Sequence, residues 1–133
     1  MDGDELPGER RLLGSISDVG RAAWEKIGAG WRRRLDHFLV TELPGPNWDP
    51  SRPRREQDGW DEHAAFVDGL AEQGVVVLGG PLGDPDFGPA LLVLAAESED
   101  EVHSHLSEDP WSNTILRVES VQRWSIWIGS LAG

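Results

Sequence analysis

An α+β domain with the order strand, helix, strand, strand, helix, strand is what this sequence predicts, and three observations lead to it. Trp60, Ala64, Val67, Leu70 and Ala71 recur at helical spacing, and the pattern stops at Gly74, a residue suited to the left-handed turn that ends a helix. Two unbroken apolar runs, Val75-Val76-Val77-Leu78 and Ala90-Leu91-Leu92-Val93-Leu94-Ala95-Ala96, are bounded by Gly and Pro, as short buried strands are. Ser98-Glu99-Asp100-Glu101 is a capping box, in which a hydroxyl and a carboxylate satisfy the free N–H groups of a new helix.

Residues 1–15 are polar, carry Gly and Pro, and are expected to be disordered. A short helix is expected over 17–34, with Ser17 or Asp18 as cap and Trp24, Ile27 and Trp31 at helical spacing. Gly28 and Gly30 weaken it by about 1 kcal/mol each, and Arg32-Arg33-Arg34 suits its C-terminal end. The chain thus divides into a polar N-terminal extension, 1–34, and a folded domain, 35–133.

The first strand is expected at 37–41. A long loop follows over 42–57, with Pro44, Gly45, Pro46, Asn47, Pro50 and Pro53, and loops of that length are usually functional or mobile. The helix at 60–74 leads into a strand at 75–79. Residues 80–89 hold enough turn formers to connect it to the strand at 90–96. The capped helix carries Val102 and Leu106 inward and runs to about Ser107. Asp109-Pro110-Trp111 opens a turn, and a last strand is expected over 118–128, where Trp124, Ile126 and Ile128 alternate with Arg123, Ser125 and Trp127. With right-handed crossovers this order makes a ferredoxin-like βαββαβ domain, a four-stranded antiparallel sheet with two helices on one face. The other sheet face needs cover, and a second copy packing sheet against sheet is the simplest solution, so a homodimer is expected.

Composition narrows the function. At 133 residues the chain is one domain with a tail. It has no cysteine, which excludes disulfides, thiolate metal sites and a Cys nucleophile. No apolar run approaches the roughly 18 to 20 residues that span a bilayer, so a soluble cytoplasmic protein without a membrane partner is the expectation. The net charge of −12 argues against nucleic acid, whose binding needs a basic footprint. Ten of the twelve basic residues lie at or before Arg55, so residues 56–133 hold 15 acidic and 2 basic residues, a surplus of −13. Solvated outer helix faces explain that surplus. Seven tryptophans and no tyrosine are unusual, and Trp48, Trp60, Trp111, Trp124 and Trp127 have three possible uses: core packing, a ligand cavity or an interface.

His63 is the residue that composition does not explain. It falls in the apolar stripe of its helix, where a titratable ring must find a partner. A core histidine bonded to a backbone carbonyl is one reading, and a catalytic histidine is the other. Asp109 before Pro110 has its own structural explanation as a cap, and Gly79-Gly80-Pro81 has one as a turn. His103 and His105 stand two apart on a helix, do not face each other, and are read as surface residues. His37 would make a metal site only if it pointed at His63 and Asp109; no metal is expected.

A helical His63, Gly79-Gly80-Pro81 after the next strand and Asp109-Pro110-Trp111 after the second helix together resemble the YciI-like (YCII-related) proteins of the dimeric α+β-barrel superfamily. The resemblance covers about residues 37–128. It implies a dimeric α+β barrel with a histidine–aspartate dyad beside a small cavity, His63 and Asp109 here. Gly80, Pro81 and Trp111 are the expected substrate contacts, Gly80 through its backbone N–H. Many relatives place Arg-Pro directly before the histidine helix, whereas here Gly59-Trp60-Asp61-Glu62 precedes His63 and Arg52-Pro53 lies upstream. A carboxylate on one imidazole nitrogen fixes the tautomer and raises the basicity of the other. Cofactor-free elimination, isomerisation or hydrolysis of a small molecule is therefore the expected activity, with a non-catalytic ligand-binding or assembly module as the alternative. Cofactor-free monooxygenases occur among related barrels, and the tryptophans keep that chemistry open.

Overall fold

Alternation sets the first strand, β1 (Asp36–Pro44), in which Phe38, Val40 and Glu42 are buried between less buried neighbours. The computed structural model describes residues 34–132. The helix expected over 17–34, the disorder over 1–15 and the basic triplet at 32–34 lie outside the described residues, save Arg34. Leu35–Ser125 form one unit.

The first helix, α1 (Trp60–Glu72), opens from Gly59 at φ 79°. It closes as a Schellman motif: Gly74 is left-handed, its N–H donates to Ala71 O at 3.0 Å, and Val75 N–H donates to Leu70 O at 2.9 Å. The next two strands are β2 (Val76–Pro81) and β3 (Ala90–Ala96). The second helix, α2 (Glu99–Leu106), begins where the capping box places it. Ser98 Oγ accepts from Glu101 N–H at 3.1 Å, while Glu101 Oε1 accepts from Glu97 N–H, one residue earlier than the usual reciprocal bond.

The last strand, β4 (Leu116–Arg123), is shifted from the expected 118–128. It starts early because β1 runs on to Pro44, which pairs with Leu116. It stops early near the start of β1, where Phe38 pairs with Arg123 and Trp124 N–H donates to His37 O at 2.8 Å. Trp124, Trp127 and Ile128 are accordingly exposed rather than in a strand.

The sheet is antiparallel throughout in the order β2-β3-β1-β4, so the protein is α+β with a four-stranded sheet and two helices, consistent with a ferredoxin-like fold. Phe38 pairs with Leu94 and Val40 with Leu92, which puts all four on one face. Leu70 of α1 and Val102 and Leu106 of α2 join that same cluster, so both helices cover that face. A second cluster of Trp111, Ile115 and Leu116, with Trp48 and Trp60 against it, lies at the end of the sheet where β1 and β4 meet the long loop. No helix among the described residues is long and apolar enough to cross a membrane.

Candidate active site

His63 sits one turn into α1, facing the sheet, and is 8 % exposed. Its Nδ1 lies 2.9 and 2.8 Å from the two carboxylate oxygens of Asp109, 46 residues away. Asp109 is equally buried, and its Oδ1 also accepts Trp111 N–H at 2.8 Å. One carboxylate therefore closes its own turn and holds the imidazole. The capping explanation and the dyad are not alternatives in this chain. No helix follows Asp109; the chain turns through Asn113 at φ 59° into β4.

Trp111 fixes the plane of the imidazole. The two rings stack at 4.1 Å with 6° between their planes, and Trp111 Nε1 donates to Asp58 O at 2.7 Å. Trp60 tilts against both rings at 5.7 Å. The approach explains Gly59: its φ of 79° favours glycine, and a Cβ there would stand 3.2 Å from Trp111 Nε1.

A cavity of about 420 Å³ opens between α1, β2 and the inner face of the sheet. Ala64, Val67, Val76 and Leu92 supply apolar wall, and Gly80 and Pro81 line it from β2. His63 lines it too, and since Asp109 takes Nδ1, Nε2 is the nitrogen left for a ligand. Gly79 and Gly80 serve different ends. A Cβ on Gly79 would meet Leu91 O at 2.8 Å, so close strand approach requires that glycine, whereas a Cβ on Gly80 would meet nothing within 4 Å. Trp111, expected as a substrate contact, does not line this cavity; it backs His63 and borders a separate, shallower concavity with Asp58, Glu62 and Pro110.

Three further charged residues line the cavity, Asp68 from α1, Glu42 and Arg54, and sequence reasoning passed over the last two. Burial first, and the Asp109 charge second, push the Glu42 carboxyl up to about 7. The Arg54 guanidinium is pulled below its usual range by burial, against the opposing charges of Glu42 and Asp86, and it stays a cation. Arg54 also ties the long loop to the β2–β3 turn. Its backbone N–H donates to Asp86 O at 3.0 Å, Nε to Pro85 O at 3.1 Å, and Nη2 to Gly88 O. Gln57, also buried, bonds Asp49 and Arg52 within the same loop, so residues 42–59 are an ordered wall. A signal for Glu42 existed in the sequence: extending the Phe38, Val40 alternation by one step places residue 42 inward. Arg54, in the run Arg54-Arg55-Glu56, carries no such signal.

The other histidines stand apart. His103 pairs with Glu99 at 3.4 Å and His105 with Glu101 at 3.5 Å, each one helical turn apart. His37 precedes Phe38 on β1 and so faces away from His63. Among the described residues no three His, Cys, Asp or Glu side chains are grouped to hold a metal ion. Comparisons with protein-family models, curated proteins and solved structures give no significant match.

Proposed function

We propose that this chain is a cofactor-independent, cytoplasmic enzyme of YciI-like type that performs acid/base chemistry on a small organic molecule in the His63 cavity. The observation that carries the reading is the His63–Asp109 pair at 2.9 and 2.8 Å, whose His63 lines that cavity with Asp109 bonded behind it. Asp109 holds the ring with Nδ1 protonated and stabilises the imidazolium that forms when Nε2 takes a proton. His63 is the general acid/base and Asp109 its orienting carboxylate, and a group so placed typically contributes about 10²- to 10⁴-fold in rate. Gly80 and Pro81 contact the substrate from β2, and the Trp111 stack keeps the imidazole from rotating. Elimination, isomerisation and hydrolysis all need this one proton-transferring nitrogen.

The assembly goes with the proposal. Register places Leu39 and Leu91, both part-exposed, on the sheet face opposite the helices, and a homodimer formed through that face, as in a dimeric α+β barrel, would cover them. A mainly apolar cavity also suits a non-catalytic ligand-binding module, which would keep its ligand affinity in His63→Gln. The deciding experiment incubates wild type and His63→Gln with small carbonyl acids in heavy water and follows loss of C–H signal by proton NMR. A wild-type exchange rate that falls about a hundredfold or more in His63→Gln supports the enzyme. Equal rates in the two proteins refute it.

A further inference from the structure

Glu42 has no part in that chemistry, and its surroundings do not explain it as a structural residue. It continues the inward series of Phe38 and Val40 and is 6 % exposed. No hydrogen bond or ion pair joins its carboxyl to another described residue. A buried carboxyl without a partner is costly, and an aliphatic side chain would fill such a position better. Arg54, 7 % exposed, is only half committed: Nε and Nη2 serve the carbonyls of Pro85 and Gly88, and Nη1 bonds to no group among the described residues. Both line the cavity that His63 lines. An unpartnered acceptor-donor, a spare cationic donor and an open imidazole nitrogen converge on the same space.

We infer that the cavity binds a small carboxylate, with Arg54 Nη1 donating to one oxygen and the neutral Glu42 carboxyl donating to the other. This names the substrate class for the proposed enzyme and rests on the same cavity being its site. The groups that face Glu42 are Asp109 from the turn after α2, His63 from α1 and Arg54 from the 3-10 turn Arg54–Glu56. Asp68 of α1 also lines the cavity, and with Glu42 neutral the Arg54 charge is kept for an entering anion. Once Glu42 ionises, it adds a negative charge that competes for Arg54 and disfavours the anion. The Glu42 carboxyl, at about 7, is available in the neutral form below that pH. The apolar remainder of the wall suits a short organic tail.

The test is calorimetric titration of the full chain with acetate, pyruvate and benzoate, each against its neutral amide. On the acid side of pH 7 a carboxylate should bind roughly tenfold or more tightly than its amide, and that preference should shrink as pH rises. In Glu42→Gln, whose amide donates at every pH, the preference should persist without the pH dependence. In Glu42→Leu, which keeps the inward position filled, it should fall roughly tenfold to a hundredfold. No carboxylate preference in any of the three pairs, or an unchanged pH dependence in Glu42→Gln, overturns the inference. Carboxylate binding with unchanged proton exchange in His63→Gln would instead defeat the enzyme and leave this site standing.

Discussion

Replacing Glu42 by Gln should stabilise the protein at neutral pH, by an amount that the structure sets. The Glu42 carboxyl moves from 4.5 to about 7 on folding, chiefly because burial disfavours the charged form. Above 4.5 the unfolded chain releases this proton while the folded chain keeps it until about 7. The folded state thus binds more protons across that window, and stability falls as pH rises through it. At about 1.4 kcal/mol per pH unit, the loss is about 3 kcal/mol by the alkaline end. Gln at 42 keeps the shape and never ionises. Urea unfolding of both proteins, stepped from below pH 4.5 to above pH 7, gives two curves whose difference isolates Glu42, because the other carboxylates cancel. Glu42→Gln should gain about 3 kcal/mol on wild type from the acid to the neutral end. A flat difference, or one of opposite slope, would show that Glu42 is not held in a dry, charge-crowded cavity.

Other changes test the walls of the site. Gly79→Ala drives a Cβ to 2.8 Å from Leu91 O and against Leu92, and should cost about 1–3 kcal/mol in thermal or urea unfolding, whereas Gly80→Ala meets nothing within 4 Å and should leave stability within about 0.5 kcal/mol. Trp111→Phe keeps a ring near His63 but removes the 2.7 Å bond to Asp58 O, leaving that carbonyl short of a donor. It should destabilise the fold by about 1–3 kcal/mol, measured by urea unfolding, and slow His63-dependent exchange more than it weakens ligand binding.

The parts of this fold that were legible in the sequence are those specified locally. Gly74 ends α1 and Ser98 starts α2 through bonds within a few residues, and β3 lies at 90–96 as its apolar run indicates. The end of β4 was not legible, because it depends on where β1 begins and not on its own alternating residues. The β2 register slips between Val76 and Leu78, a bulge that the run of valines does not announce.

The same division holds at the site. His63 stands out by lying in an apolar stripe, yet its partner is 46 residues away, and Asp109 alone reads as a turn cap. The family resemblance named the pair where the residues themselves left both readings open. Glu42 fell in what was read as loop because β1 runs three residues past Thr41, carried by pairing with Ala90 on one side and with Val118, Arg117 and Leu116 on the other. Nothing local marks Arg54; the carbonyls that hold it, Pro85 and Gly88, lie 31 and 34 residues away. Long-range pairing decides these positions, and local pattern does not carry it.

The measurement that bears most directly on the proposed chemistry is the tautomer of the neutral His63 ring, read from its two nitrogen chemical shifts in a long-range proton–nitrogen NMR spectrum and assigned with His63→Gln. Asp109 accepting from Nδ1 requires the Nδ1–H form, with Nε2 unprotonated and free to act as base, and Asp109→Leu should abolish that preference. A neutral His63 protonated on Nε2 in the wild type would contradict the dyad and leave the cavity without its base.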